Sequence, residues 1–173
     1  PTLSSAASDV YKRQVYAEEL SDGFRLYVAI ADVSAYVTKD SQLDKEAFSR
    51  ATSVYFEKKV IPMLPELISN QLCSLRPNED KLVLTCEIYL DNRGEIKDFE
   101  FFNSVICSKN RLTYDEVEKF YQKGQTALLD DAVNNLRVLK KIHSLRRKIR
   151  KDRKAIDFYL PEYRPVGKDN KII

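Results

Sequence analysis

The chain has 173 residues, 43% of them hydrophobic and 32% charged, which suits one domain with its own core. Its formal net charge of +3 is too small to name a partner, and its one histidine, His143, excludes a histidine-rich metal site. No apolar run reaches membrane-spanning length, and the four glycines form no phosphate-cradling loop.

Residues 1–14, PTLSSAASDVYKRQ, show no period and no hydrophobic face, and read as a disordered leader. VYAEEL and FRLYVAIADV then read as two strands around the turn SDGF. Leu26 to Ala31 are almost wholly apolar, so this second strand is expected to be central and covered on both faces. Ser41 followed by Asp44 resembles a capping box, and Leu43, Ala47, Phe48 and Ala51 mark one helical face.

SVYFEKKVIPMLPELISNQLCSLRP, residues 53–77, has no clean period. Its three prolines, Pro62, Pro65 and Pro77, imply a backbone held in one irregular path. Two strand-like runs follow on either side of DNRG, a strong hairpin signal. Thr113 with Glu116 caps a short helix carrying Val117, Phe120 and Tyr121 and closed by Gly124. A longer helix is expected over 127–152, with Leu129, Val133, Leu136, Leu139, Ile142, Leu145 and Ile149 as its apolar stripe. Strand-like runs around GKDN end the chain. Strands and helices are mixed and hairpins are plentiful. The fold class is therefore α/β in the broad sense, a mixed α+β domain with a hairpin-rich sheet packed with helices, and not a doubly wound parallel fold.

The three cysteines, Cys73, Cys86 and Cys107, have neither zinc spacing nor a disulfide pattern, so a reducing cytoplasm is the expected setting. The chain starts at Pro1, its only methionine is Met63, and it stops inside the strand-like NKII, so an internal fragment of a longer protein is expected.

Three features could carry chemistry. Nine lysines and arginines fall between Lys140 and Lys154 against one acid, Asp152, either as a phosphate-tracking surface or as a solvated helix face. The aromatics Tyr55, Phe56, Tyr114 and Phe158 suit base stacking or a core, with Phe56 placed in the core. The carboxylate pairs Glu18–Glu19 and Asp130–Asp131 do not converge with further acids, and structural roles are favoured for both.

The order of GFRLYVAIADVSAYV, LDKEAFSRATSVYF, VIPMLPELISNQLCSLRP, SKNRLTYDEV and AIDFYLPEY resembles the RNase II/RNase R family, and the RNase R branch in particular. The resemblance covers Val15 to Ile173, the N-terminal part of an RNB-type catalytic domain. Ala35 departs from that branch, which often has histidine there. The resemblance implies a hydrolytic 3′→5′ exoribonuclease that draws single-stranded RNA into a narrow channel. It implies Mg²⁺ as cofactor, nucleoside 5′-monophosphates as products, a cytoplasmic monomer and no membrane partner. Tyr55 and Phe158 fall on two aromatics that clamp the terminal bases, and Tyr114 on a tyrosine near the last ribose.

The family's aspartate cluster, D-x-x-D-x-D-D-A, should end just before Val15. Here Val10, Lys12 and Arg13 stand at aspartate positions, and Asp9 is out of register. Residues 1–14 resemble translated adapter sequence instead. No catalytic or metal-ligating residue is therefore assigned, and the chain by itself is expected to be inactive. The alternative is a non-catalytic RNA-binding relative that has lost its metal ligands.

Overall fold

The computed structural model describes residues 12–56, 59–124, 130–156, 167–168 and 171–172. Strands β1 (Arg13–Leu20) and β2 (Gly23–Ala31) lead to a 3-10 turn (Val33–Ala35) and helix α1 (Gln42–Arg50). Two short strands follow, β3 (Val54–Tyr55) and β4 (Val60–Ile61), then a π-helical turn (Leu67–Leu72). The long strands β5 (Asp80–Asp91) and β6 (Ile96–Cys107) precede helices α2 (Tyr114–Lys123) and α3 (Asp130–Asp152). The two-residue strands β7 (Gly167–Lys168) and β8 (Lys171–Ile172) pair antiparallel. The mixed α+β, hairpin-rich class is the one observed.

The main sheet is antiparallel, in the order β1-β2-β5-β6. Its β5–β6 hairpin turns where DNRG predicts. The Asp91 carboxylate accepts from the backbone N–H groups of Arg93 and Glu95, both at 2.9 Å, and Gly94 takes a φ of +83°. β2 is central, as its apolar run implies, and it pairs along both edges.

Two cores lie on opposite faces of this sheet. Ala17, Phe24 and Leu90 meet Ile142 of α3, with Leu26, Ile88, Val138, Leu139 and Leu145 packed around them. On the other face Ala29, Ala31 and Val83 meet Ala47 of α1 and the proline-rich stretch through Leu64, Ile68, Cys73 and Leu75. The alternation of side chains along a strand sends the two sets to different sides.

Three expectations need correction. β2 is not covered throughout: Ile30 is exposed, and so are Val15, Leu82, Leu84, Phe101 and Val105 on the same face, beyond the reach of α3. Phe48 does not join the buried face of α1. It is 87% exposed, and only Ala47 of that helix is buried, in the core with Ala29, Ala31 and Leu64. The leader is not unpaired to its end. Lys12 accepts a hydrogen bond at its carbonyl from Ala31, and Arg13 and Gln14 pair with Ile30 and Ala29, so ladder geometry captures residues whose side chains offer no apolar face. Residues 1–11 lie outside the described residues.

Among the described residues no helix is long and apolar enough to cross a membrane.

Gly23 faces the β5 backbone so closely that a Cβ there would stand 1.9 Å from the Leu90 carbonyl oxygen and 2.9 Å from the Asp91 Cα. Gly23→Ala is expected to cost more than about 2 kcal/mol by forcing the β2–β5 ladder apart. Urea unfolding followed by far-UV circular dichroism checks this, and a midpoint equal to wild type would refute the close approach.

Candidate nucleic-acid interface

The proline-rich stretch is pinned along its length by main-chain acceptors and donors. Arg50 Nη1 donates to the Pro62 carbonyl at 2.9 Å, and the Met63 N–H donates to Ser53 Oγ at 2.9 Å. The Pro65 carbonyl accepts from both Ile68 and Ser69, each at 3.0 Å, and so starts the π-helical turn. Arg76 Nη2 closes that turn by donating to the Asn70 carbonyl at 3.0 Å. Leu64, Ile68, Cys73 and Leu75 then sink into the core while Leu67 faces solvent. Proline supplies the stiffness and the buried residues supply the anchor, so the β3–β4 hairpin is held from below.

Tyr55 lies on that hairpin, paired with Val60, and is 67% exposed. Phe56 follows it, donates its N–H to the Lys59 carbonyl at 2.8 Å, and is 56% exposed. The core placement of Phe56 is therefore wrong. A two-residue ladder is too short to build a packed layer that would receive it.

Tyr114 opens α2 and is 74% exposed. The capping box read from the sequence sets its position. Thr113 Oγ1 accepts from the Glu116 N–H at 3.2 Å, while Glu116 Oε2 accepts from the Thr113 N–H at 2.7 Å and its hydroxyl at 2.8 Å. These two donors hold the Glu116 carboxyl below the usual carboxylate range. Among the described residues neither Tyr55 nor Tyr114 stacks on another ring. Phe158, the third residue of the expected set, lies outside the described residues.

One convergence has no motif to announce it. Ser108, at the end of β6, donates from Oγ to Gln14 Oε1 at 3.1 Å and accepts at its carbonyl from the Asn78 N–H at 2.8 Å. Pro77 forms a parallel bridge with Ser108, and Asn78 takes a left-handed φ of +62° to allow it. The head of β1, the end of the proline stretch and the segment leading to Tyr114 therefore meet at one end of the sheet. The only hint in the sequence is Asn78, a residue type that tolerates left-handed backbone.

Several polar groups of the sheet are paired with one another. Glu18 pairs with Arg25, which also reaches Glu87 at 3.6 Å, and the Tyr89 hydroxyl donates to Glu87 at 2.9 Å. Burial, helped by the neighbouring Glu87, pushes the Tyr27 hydroxyl up to about 12. Burial also pushes the Cys73 thiol up, despite Lys12 and Lys81 nearby, so it stays protonated and unreactive. Glu19 pairs with Lys141. Among the described residues no group of three His, Cys, Asp or Glu side chains could hold a metal ion. The head of β1 instead presents Lys12 and Arg13, whose positive charge opposes a divalent cation. The described residues do not fit a magnesium site.

Comparison with known proteins is direct. The family model described as the RNB domain matches residues 2–173, a span that starts ahead of Val15. The chain belongs to the RNB-domain family. Ribonuclease R of Acidithiobacillus ferrooxidans is 43% identical over 159 residues, covering 91% of this chain and 36% of that protein. The apo form of Mycoplasma genitalium RNase R superposes with a TM-score of 0.89 at 37% identity, over 96% of this chain and 26% of that one. The same protein in complex with ribose methylated single-stranded RNA gives a TM-score of 0.88 over the same shares. The chain thus spans about a third or less of these relatives.

Thr113→Ala is expected to loosen α2 by about 1 kcal/mol at neutral pH, the ordinary cost of losing an N-cap. The part of this that Glu116 carries has a definite sign with pH. A carboxyl held below its ordinary value of 4.5 stabilises the fold above that value and loses its contribution as pH falls through the lower, folded value. The gap between wild type and Glu116→Gln in chemical denaturation should therefore narrow below about pH 4.5.

Proposed function

We propose that this chain is the N-terminal part of the catalytic domain of an RNase R-like 3′→5′ exoribonuclease, one that degrades single-stranded RNA in the cytoplasm to nucleoside 5′-monophosphates. The observation that carries the reading is the close superposition on an RNase R bound to single-stranded RNA, at an identity well above that of fold resemblance alone. The exposure of Tyr55 and Tyr114, each on a backbone fixed by the local bonds described above, supports it. Rigid exposed aromatics are what base stacking requires, since every base has a face to offer and little entropy is lost on contact. In this proposal Tyr55 and Phe158 clamp the terminal bases and Tyr114 borders the last ribose. Mg²⁺ is the cofactor of the intact enzyme, and its ligands are residues other than Lys12 and Arg13.

A second reading, a non-catalytic RNA-binding relative, rests on one observation. Lys12 and Arg13 belong to the described fold at the head of β1 rather than to a detached tail. The genomic coding sequence upstream of Val15 separates the two: in-frame aspartate codons there support the enzyme, and codons for the present residues support the binder.

The polypeptide as it stands is expected to release no nucleoside monophosphate from a poly(A) oligonucleotide with Mg²⁺ present. Metal-dependent release would overturn the conclusion drawn from Lys12 and Arg13.

For the clamp, alanine at Tyr55 or Phe158 in the full-length protein should cost roughly 1–3 kcal/mol of RNA affinity per base and lengthen the shortest digestion product. Phe48→Ala, which removes an exposed ring from α1, serves as the comparison. Equal losses for Phe48 and Tyr55 would show that exposure, not position, decides the effect.

A further inference from the structure

The channel reading leaves the basic run of Lys140–Lys154 unused, and the structure gives that run a definite direction. Val138, Leu139, Ile142 and Leu145 seat α3 against Ala17, Phe24 and Leu90, which fixes the rotation of the helix about its axis. The cations nearest the sheet become ties to it. Lys141 pairs with Glu19 at 2.6 Å, and Arg146 donates to the Gly94 carbonyl at 3.0 Å and lies 3.9 Å from Glu95.

With 3.6 residues per turn, Lys140, Arg147 and Lys151 fall in one row on the side away from the sheet, with Arg137 and Lys148 beside them. All five are exposed. The row from Lys140 to Lys151 is about 16 Å long, enough to face several phosphates of an extended strand. No acid occurs in α3 between Asp131 and Asp152. Lys140 stands 4.5 Å from the ring centre of Tyr121 and donates to the Tyr121 carbonyl at 3.4 Å, so the first end of the row is held against α2.

Attraction between lysines and the helix C-terminus explains only the last turn, where Arg150 and Lys151 sit. Lys140 lies about three turns earlier, beyond the reach of that effect. Nor is the charge a general property of the chain. Nine cations against one acid in this run, within a total of +3, leave everything outside it net acidic. The positive field is concentrated on one helix face.

We propose that this outward face of α3 is a second RNA-contact surface, which holds the phosphate backbone of single-stranded RNA beyond the aromatic clamp and without regard to sequence. It rests on the RNA-binding reading above and adds a site to it. Such a surface binds through release of counterions and is therefore strongly weakened by salt.

The test measures binding of fluorescein-labelled oligo(A) of about 5 and about 20 nucleotides across a salt series, using the full chain. The variant Arg147→Gln/Lys148→Gln/Lys151→Gln is expected to bind the longer RNA about tenfold more weakly near 0.1 M salt and to flatten the log K against log salt slope by about 2. Binding of the shorter RNA should be unchanged, and circular dichroism with the thermal midpoint verifies that the variant is folded. Lys39→Gln/Lys45→Gln/Lys97→Gln removes the same charge elsewhere and should leave the slope near wild type. An unchanged slope in the α3 variant overturns the proposal. So does an equal loss in the comparison variant, which would make the effect one of net charge. Tyr55→Ala separates the two sites. If it leaves the shorter RNA bound as before, the clamp assignment falls while the slope still judges α3.

Discussion

The placement of β2 governs everything else. It is hydrogen-bonded along both edges, to β1 and to β5, and its successive side chains alternate between two cores. Phe24 and Leu26 seat α3 on one face, while Ala29 and Ala31 seat α1 and the proline-rich stretch on the other. A slip of one residue would exchange the two sets and place small alanines under α3. The Gly23 contact with the Leu90 carbonyl fixes the register where no side chain could fit.

That register has consequences at both ends of the sheet. At one end it aligns Arg13 and Gln14 with the exit of β2, which brings Gln14 to Ser108 and hence to Asn78. The proline stretch is tied there, so Tyr55 is carried on a support continuous with the sheet. At the other end the ladder brings Gly94 under Leu145 and lets Arg146 cap the hairpin carbonyl. Tyr55 and the basic face of α3 are thus both mounted on the one sheet, through different elements.

Electrostatics divides the chain in the same way. The sheet carries acids whose charge is neutralised locally, Glu18 by Arg25 and Glu19 by Lys141. The exposed face of α3 carries cations with no acid among them. A chain of modest net charge can therefore present a strong local field, because charge position rather than total decides what a polyanion meets.

What could be read from the residues themselves was local. Thr113 with Glu116, the DNRG turn and Gly124 each report a bond or a backbone angle within a few positions, and each is present. Ser41 accepts from the Asp44 N–H, but the Asp44 carboxylate turns to the Asp40 N–H, so that box is half formed. The family resemblance was legible for a related reason: its motifs mark those same local paths, including the π-turn that three prolines and a buried cysteine shape. Burial was different. Phe48 and Phe56 are aromatic and sit where a core was expected, yet both are exposed, because no layer reaches them. Lys12 to Gln14 carry no apolar signal, yet the β2 ladder captures them. The direction of the basic run was also undecided until Ile142 met Phe24 and Leu90. Local bonding depends on neighbours in the chain and can be read there. Which face a side chain shows depends on what packs from far away, and only the tertiary structure settles that.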